Sequence, residues 1–252
     1  MRFYATPRAT AEALERLRPL TPGRGERFTG YGIMGLPFRG GDYLAFRRFV
    51  ASSIGPAYYS LWHQDRDGRW TFYVDVEPGL SCPRYFSAAL DRVEVTEIVV
   101  SWGSASELAI SLPAARIEVS LRLATPPRAR LMNSVLRLVP ERAWESSRAL
   151  ALMSAVAGPV LGAGEVRLTG HTPNGQQFGV APRQLWRIVA GAAVIHGREL
   201  GPFGALPRQP RLADFVQPNA GIFAFGSVWF DPVEPGGAPA ATDRAHAGAL
   251  SA

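Results

Sequence analysis

An alternating stretch between residues 165 and 199 constrains the fold more than any other part of the sequence. Val166 and Leu168 alternate with polar residues, the pattern breaks at Asn174-Gly175, and alternation resumes from Phe178 to Ile188. An apolar residue at every second position buries one face of a strand, and Asn-Gly favours the positive φ angles of a tight hairpin turn. The stretch therefore predicts antiparallel sheet.

Further strands are predicted along most of the chain. Asp67-Gly68 favours a hairpin between two aromatic-rich segments, and His196-Gly197 marks another turn. The 252 residues are 47% apolar, which is enough for a large packed core. The predicted strands cover residues 43–50, 58–63, 70–76, 98–102, 108–112, 117–123 and 221–230.

The period changes between residues 126 and 163, where apolar residues recur at helical spacing with arginines on the other side. We therefore predict a mainly β fold with two antiparallel barrel or sheet regions joined by an amphipathic helical segment. Three roles stay open for that segment: covering a barrel end, docking on a membrane, or admitting a lipophilic ligand. The predicted divisions are an N-terminal helix and linker (1–27), a first β region (28–125), a helical bridge (126–163), a second β region (164–231) and a disordered tail (232–252).

Charge and cysteine content exclude several classes of protein. The net charge is +6, yet all 27 basic residues are arginines scattered among 21 acidic ones, a bias typical of a G+C-rich genome. The densest clusters, Arg47-Arg48 and Arg128-Ala129-Arg130, are too small to predict a nucleic-acid partner. Cys82 is the only cysteine, and neither a signal peptide nor an apolar run of 18 residues occurs, so we predict a cytoplasmic location.

The first hairpin holds the residues best suited to acid chemistry. The four histidines show no metal-ligand spacing, so neither a metal nor a cofactor is predicted. If Trp62 faces a packed side, then His63, Tyr73 and Asp75 share the opposite face. They are candidate catalytic residues that protonate an alkene or enol. In the alternative interpretation they simply face solvent.

Several strand and turn motifs resemble a known family. These are Ser101-Trp102, the run from Gly164 to Gly170, Pro173-Asn174-Gly175, and the run from Gly221 to Gly226. Over residues 28–230 the chain resembles two-domain lipocalin-like proteins related to carotenoid hydratase (hydroxyneurosporene synthase), and more closely an uncharacterised actinobacterial group. The resemblance implies two lipocalin-like antiparallel barrel or sheet regions, the first over residues 28–125, joined by the amphipathic helical segment. The hydratase branch carries an Asp-His pair beside a Trp; here His171 is followed by Thr172 and the chain has no Asp-His dipeptide.

Two function hypotheses follow, and the sequence does not decide whether the protein is an enzyme. The first is a non-catalytic carrier that binds a lipophilic small molecule (isoprenoid, acyl lipid or polyketide-like) in a β-barrel cavity. The alternative is a hydratase or cyclase that acts on an unsaturated lipid by general acid catalysis. A third, weaker hypothesis is peripheral membrane contact through residues 128–161, from Arg128 to Leu161. Candidate ligand contacts are Tyr59, Trp62, Trp102, His171 and Trp186.

Overall fold

The computed structural model describes residues 5–232, which form one large sheet, a small hairpin and several helices. The strands are β1 (Glu26–Pro37), β2 (Tyr43–Ser52), β3 (Tyr58–Gln64), β4 (Trp70–Val74), β5 (Arg92–Val95), β6 (Val99–Trp102), β7 (Glu107–Leu112), β8 (Ile117–Ala124), β9 (Thr169–His171), β10 (Gln177–Ile195), β11 (Arg198–Glu199), β12 (Arg211–Leu212), β13 (Phe215–Val216) and β14 (Ile222–Phe230). The α-helices are α1 (Pro7–Leu17), α2 (Pro83–Phe86), α3 (Pro127–Leu138) and α4 (Ser147–Leu161); 3-10 turns cover Pro78–Leu80, Ser87–Ala89 and Glu141–Glu145.

Twelve of the strands form a single sheet in the order β5-β4-β3-β2-β1-β14-β10-β8-β7-β6, with β9 and β11 paired to β10. All pairs in this sheet are antiparallel except β4 with β5. The sheet curls strongly into a half barrel, so the prediction of a mainly β, barrel-like fold is confirmed.

Strand β14 connects the two predicted β regions. It pairs with β1 on one side and with β10 on the other, so strands from residues 28–125 and 164–231 share one hydrogen-bonded sheet. The helical bridge, as α3, the 3-10 turn and α4, lies between β8 and β9 in the chain. The predicted tail lies outside the described residues except for residue 232.

The turn predictions are confirmed, while one strand prediction is corrected. Gly68 and Gly175 have φ values of 84° and 86°, and His196-Gly197 has 53° and 82°, as tight turns require. Residues 165–168, however, are irregular, and the strand begins only at Thr169. The reason is competition for their backbone groups: the Leu168 amide donates to Ser154 Oγ of α4, at 2.9 Å.

The two faces of the sheet carry separate cores. One face buries residues such as Ile33, Phe46 and Trp186. The opposite face buries an aromatic cluster around Trp62 on β2 to β4 and, beside it, an aliphatic cluster beneath α3 and α4 that includes Leu185. Among the described residues, no helix has the length and apolarity needed to cross a membrane.

Candidate functional site

A cavity of about 330 Å³ lies between the helices α3 and α4 and the sheet. That volume is at the lower end of the range for small-molecule sites. Aliphatic and methionine side chains make up nearly all of its wall, and three of the four methionines of the chain line it. The lining residues are Met34, Arg47, Met132, Val135, Leu136, Val139, Leu152, Met153, Val156, Ala157, Leu161, Val166, Arg167, Leu168, Val180, Pro182, Leu185, Phe215, Val216, Gln217, Pro218, Ile222 and Ala224.

The cavity forms where strand β10 lacks a neighbour on one edge. β9 pairs with residues 177–179 of β10 and β8 with residues 187–195, so the edge between them is open to the helices. Asn133 of α3 fills part of that gap, because its amide exchanges two hydrogen bonds of 2.9 Å with the backbone N–H and C=O of Leu185. These bonds satisfy strand groups that would otherwise be unpaired and fix α3 above the sheet.

The α3–α4 side of the cavity opens towards solvent. Val135, Leu152 and Val156 line the cavity and have exposed fractions of 49%, 72% and 53%. Exposed aliphatic side chains at the rim of an apolar cavity give an apolar ligand a continuous route inwards.

Arg47 is one of the two cations that line the cavity. Across the sheet, Arg47 of β2 is in register with Gly32 of β1, and Gly32 with Ala224 of β14. Because Gly32 has no side chain and Ala224 has a small one, the Arg47 side chain has room to cross β1 towards the cavity. Its Nη1 donates to the carbonyl of Ile33 there and to that of Phe46 at 3.1 Å.

No carboxylate among residues 5–232 forms a salt bridge with the Arg47 guanidinium. Arg47 is only 7% exposed, and this burial lowers its pKa from the usual value. The guanidinium carbon lies 4.8 Å from the Trp62 ring centre, a cation–π contact that partly compensates the lost hydration. Within residues 5–232, Nη1 makes the hydrogen bonds of this guanidinium, so Nε and Nη2 are the donors left for a ligand.

Gln217 supplies the second polar group of the same cavity. Its side chain is fully buried, and neither its Nε2 nor its Oε1 has a hydrogen-bond partner in the described structure. A buried amide without partners costs free energy, so such groups usually meet water or a ligand. Arg167, the third polar residue of the lining, differs because Glu165 and Asp214 pair with it at 2.6 and 2.9 Å.

Among the predicted catalytic residues, His63 lies in an ion-pair cluster. Its Nε2 is 2.9 Å from Asp42 Oδ1, and Arg66 and Arg198 also bind the Asp42 carboxylate. Burial by itself would raise the Asp42 pKa, but the hydrogen bonds from His63, Arg198 and Arg66 outweigh burial and hold that pKa well below its usual range. The cluster ties the start of β2 to β3 and β11.

Tyr73 and Asp75 share the sheet face of His63, as predicted, but they are not brought together with it. His63 pairs with Thr71, and Asp75 lies four residues further along, about 13 Å away at strand spacing. Tyr73 is buried in the core, and that burial raises its pKa to about 12. Burial also raises the Asp75 pKa, although its carboxylate accepts the Tyr59 amide at 2.7 Å. None of the three lines the cavity.

The five predicted ligand contacts also lie outside the cavity wall. Tyr59 stacks on Phe46, and Trp102 and Trp186 pack against Phe223, all on the other face of the sheet. Trp62 stacks on Phe72 with 4.3 Å between ring centres. His171 is exposed, with Nδ1 3.7 Å from Asp214.

Arg47 and Gln217 were not among the predicted site residues. Arg47 was noted only as part of a small cluster with Arg48, although its place within the strand Tyr43–Ser52 is a local signal of a buried cation. Its neighbour Arg48 points to the opposite face and pairs with Glu15 at 2.8 Å. Within residues 5–232, no group of three His, Cys, Asp or Glu side chains is placed to hold a metal ion.

The sequence matches no family model and no curated protein. Among solved structures, it is similar to acetoacetate decarboxylase from Legionella pneumophila subsp. pneumophila str. Philadelphia 1, with 8% identity, coverage of 92% of this chain and 96% of that one, and a TM-score of 0.42. A second acetoacetate decarboxylase structure gives 10% identity, coverage of 84% and 88%, and a TM-score of 0.39. Similarity this distant carries no inference about activity. The resemblance to the carotenoid hydratase group stays a prediction.

Proposed function

We propose that this protein binds a lipophilic small molecule in the cavity beneath α3 and α4, as a non-catalytic carrier. The single observation that carries the proposal is the composition of the cavity wall, where all but three of the lining side chains are apolar. Burying apolar ligand surface against such a wall is favourable at about 25 cal/mol per Å². Flexible methionine side chains let one wall fit ligands of varied shape.

The polar residues of the lining favour a carrier over the hydratase or cyclase alternative. Acid catalysis needs a side chain that exchanges a proton near the operating pH, within hydrogen-bond reach of the substrate. Arginine stays protonated in proteins, and an amide such as that of Gln217 does not titrate. The chain also contains no lysine, so no lysine amine is present to form a Schiff base.

Calorimetric titration with 1-octanol tests the proposal. We expect one molecule to bind per chain with a negative heat-capacity change, the mark of apolar burial. Native mass spectrometry of the freshly purified protein, followed by solvent extraction, identifies any natural ligand. No binding of octanol or longer 1-alkanols, together with an empty native spectrum, would refute the carrier function.

We further propose that α3 and α4 contact an anionic membrane surface, where a lipophilic ligand would be collected. Leu131, Leu138 and Leu152 of these helices have exposed fractions of 61%, 83% and 72%. The only ionisable side chains on both helices are arginines, Arg128, Arg130, Arg137 and Arg148. Exposed apolar residues among cations suit an interfacial helix.

Sedimentation with vesicles tests the membrane contact. The protein should pellet with phosphatidylserine-containing vesicles at low salt and less with pure phosphatidylcholine, and Leu138→Gln should weaken the binding. Equal recovery in the supernatant with both vesicle types would rule the contact out.

A further inference from the structure

We infer that the ligand of this cavity is a monoanionic amphiphile whose carboxylate binds Arg47 and Gln217 while its aliphatic chain fills the space beneath α3 and α4. This inference rests on the proposed function and specifies the chemical class of its ligand. It follows from the charge, the hydrogen-bond donors and the space around Arg47.

The net charge of the cavity lining favours a ligand with one negative charge. Arg47 is buried, with no carboxylate partner among residues 5–232, and the remaining cation of the lining, Arg167, already has two carboxylates. An isolated buried charge is costly, and that cost falls when a counter-ion of opposite sign binds. A single guanidinium matches a carboxylate, whereas a phosphate dianion would bury a second charge without a cation.

The available donors fit the same group. The guanidinium has five N–H donors in a planar fork, and only Nη1 binds the protein backbone. Its Nε and Nη2 side matches the two oxygens of a carboxylate. Gln217 adds a further N–H donor at the same cavity, with no partner of its own.

The space around Arg47 also suits a head group. A second, smaller cavity of about 50 Å³ shares Arg47 and Met34 with the main one and continues towards Phe49. Arg47 therefore lies between two unfilled volumes, one of them large and aliphatic. A head group beside Arg47 places the attached chain in the larger volume. Apart from Arg47 and Gln217, the one polar residue of its wall is Arg167, which is already paired.

The test compares octanoate with 1-octanol, which has the same chain length and an uncharged head, by calorimetric titration of the intact protein. We expect octanoate to bind more tightly than octanol to the wild type. Arg47→Met should lower octanoate affinity by about 10- to 100-fold, the loss expected for hydrogen bonds to a charged group. Octanol affinity should stay within about twofold, because its chain contacts are unchanged.

Two further variants separate ligand recognition from folding. Gln217→Met removes an unpartnered buried amide, so it should raise the melting temperature of the empty protein while lowering octanoate affinity. If Gln217 had a purely structural role, its substitution would lower both the melting temperature and the octanoate affinity. Arg48→Met, next to Arg47 but on the opposite face and paired with Glu15, should leave octanoate affinity unchanged.

The outcomes distinguish the two proposals. If octanol and octanoate bind equally well, and Arg47→Met changes neither affinity, the head-group site is refuted although the cavity binds lipophiles. Buried water would then be the partner of Arg47 and Gln217. If neither ligand binds the wild type, the carrier function itself fails. A loss of octanol and octanoate together in Arg47→Met would also overturn the assignment, since it would indicate damage to the cavity.

Discussion

Replacing Ala157 by Trp should nearly abolish binding of 1-octanol while the protein stays folded. Ala157 is on α4, is partly exposed and lines the cavity, so the larger side chain can enter it without disturbing the sheet. Each methylene excluded costs about 0.8 kcal/mol, or about fourfold in affinity. Exclusion of three methylenes would lower the affinity roughly 50-fold, measured by calorimetric titration.

The matched control is Ala155→Trp, two residues away on the same helix. Ala155 is exposed and does not line this cavity, so its substitution should leave octanol affinity unchanged. Equal affinities of the wild type and the Ala157→Trp variant would place the bound ligand elsewhere on the protein.

Replacing Asp42 by Asn should lower the free energy of unfolding by about 2–4 kcal/mol. This is somewhat less than the usual cost of breaking a buried ion pair, because Arg66 and Arg198 are partly exposed. The Asp42 carboxylate is fully buried and accepts hydrogen bonds from His63 and both arginines. In the Asn variant the negative charge is lost, and an NH2 donor replaces one of the two acceptor oxygens facing these donors. Urea unfolding measures the change. Asp67→Asn is the control, because Asp67 is exposed and its bond to Arg69 should contribute nothing measurable.

At acidic pH the Asp42 carboxylate should no longer contribute to the free energy of unfolding. Its folded-state pKa is lowered, so the carboxylate stabilises the fold fully above the unfolded pKa of about 3.9 and loses that effect as the pH falls further. The difference in unfolding free energy between wild type and Asp42→Asn should therefore be constant above about pH 5 and shrink below about pH 4. A difference that grows in acid would contradict the assigned pKa direction.

The strands and turns of this protein could be predicted from local sequence, but the way they join could not. Alternation and turn residues indicated most strands, and the predicted N-terminal helix is α1, where Thr6 Oγ1 accepts the Ala9 amide as the N-cap. The pairing of β1 with β14 joins residues about 200 positions apart in the chain, as Glu26 with Phe230 does. No local pattern encodes such a register, so the sequence suggested two sheet regions where the described chain has one continuous sheet.

The candidate site could not be predicted from local sequence either, because its residues come from distant parts of the chain. The face shared by His63 and Asp75 followed correctly from strand periodicity, yet the hydrogen-bond partner of His63 is Asp42, which lies in the turn that precedes β2. Arg47 lines the cavity from β2, in register with Gly32 of β1 and, beyond it, Ala224 of β14. Gln217 lies in a proline-rich loop where no periodicity applies. Buried polar groups in such positions depend on tertiary contacts, which composition and spacing do not reveal.

The most direct test of ligand binding in this cavity is the methyl NMR spectrum of protein labelled with ¹³C-methyl methionine, recorded during titration with 1-octanol. Met34, Met132 and Met153 come from β1, α3 and α4, and all three line the cavity. A bound ligand should shift all three methyl resonances along one saturation curve that agrees with the calorimetric affinity. If calorimetry detects octanol binding while these three resonances stay in place, the ligand binds elsewhere and the cavity is not its site.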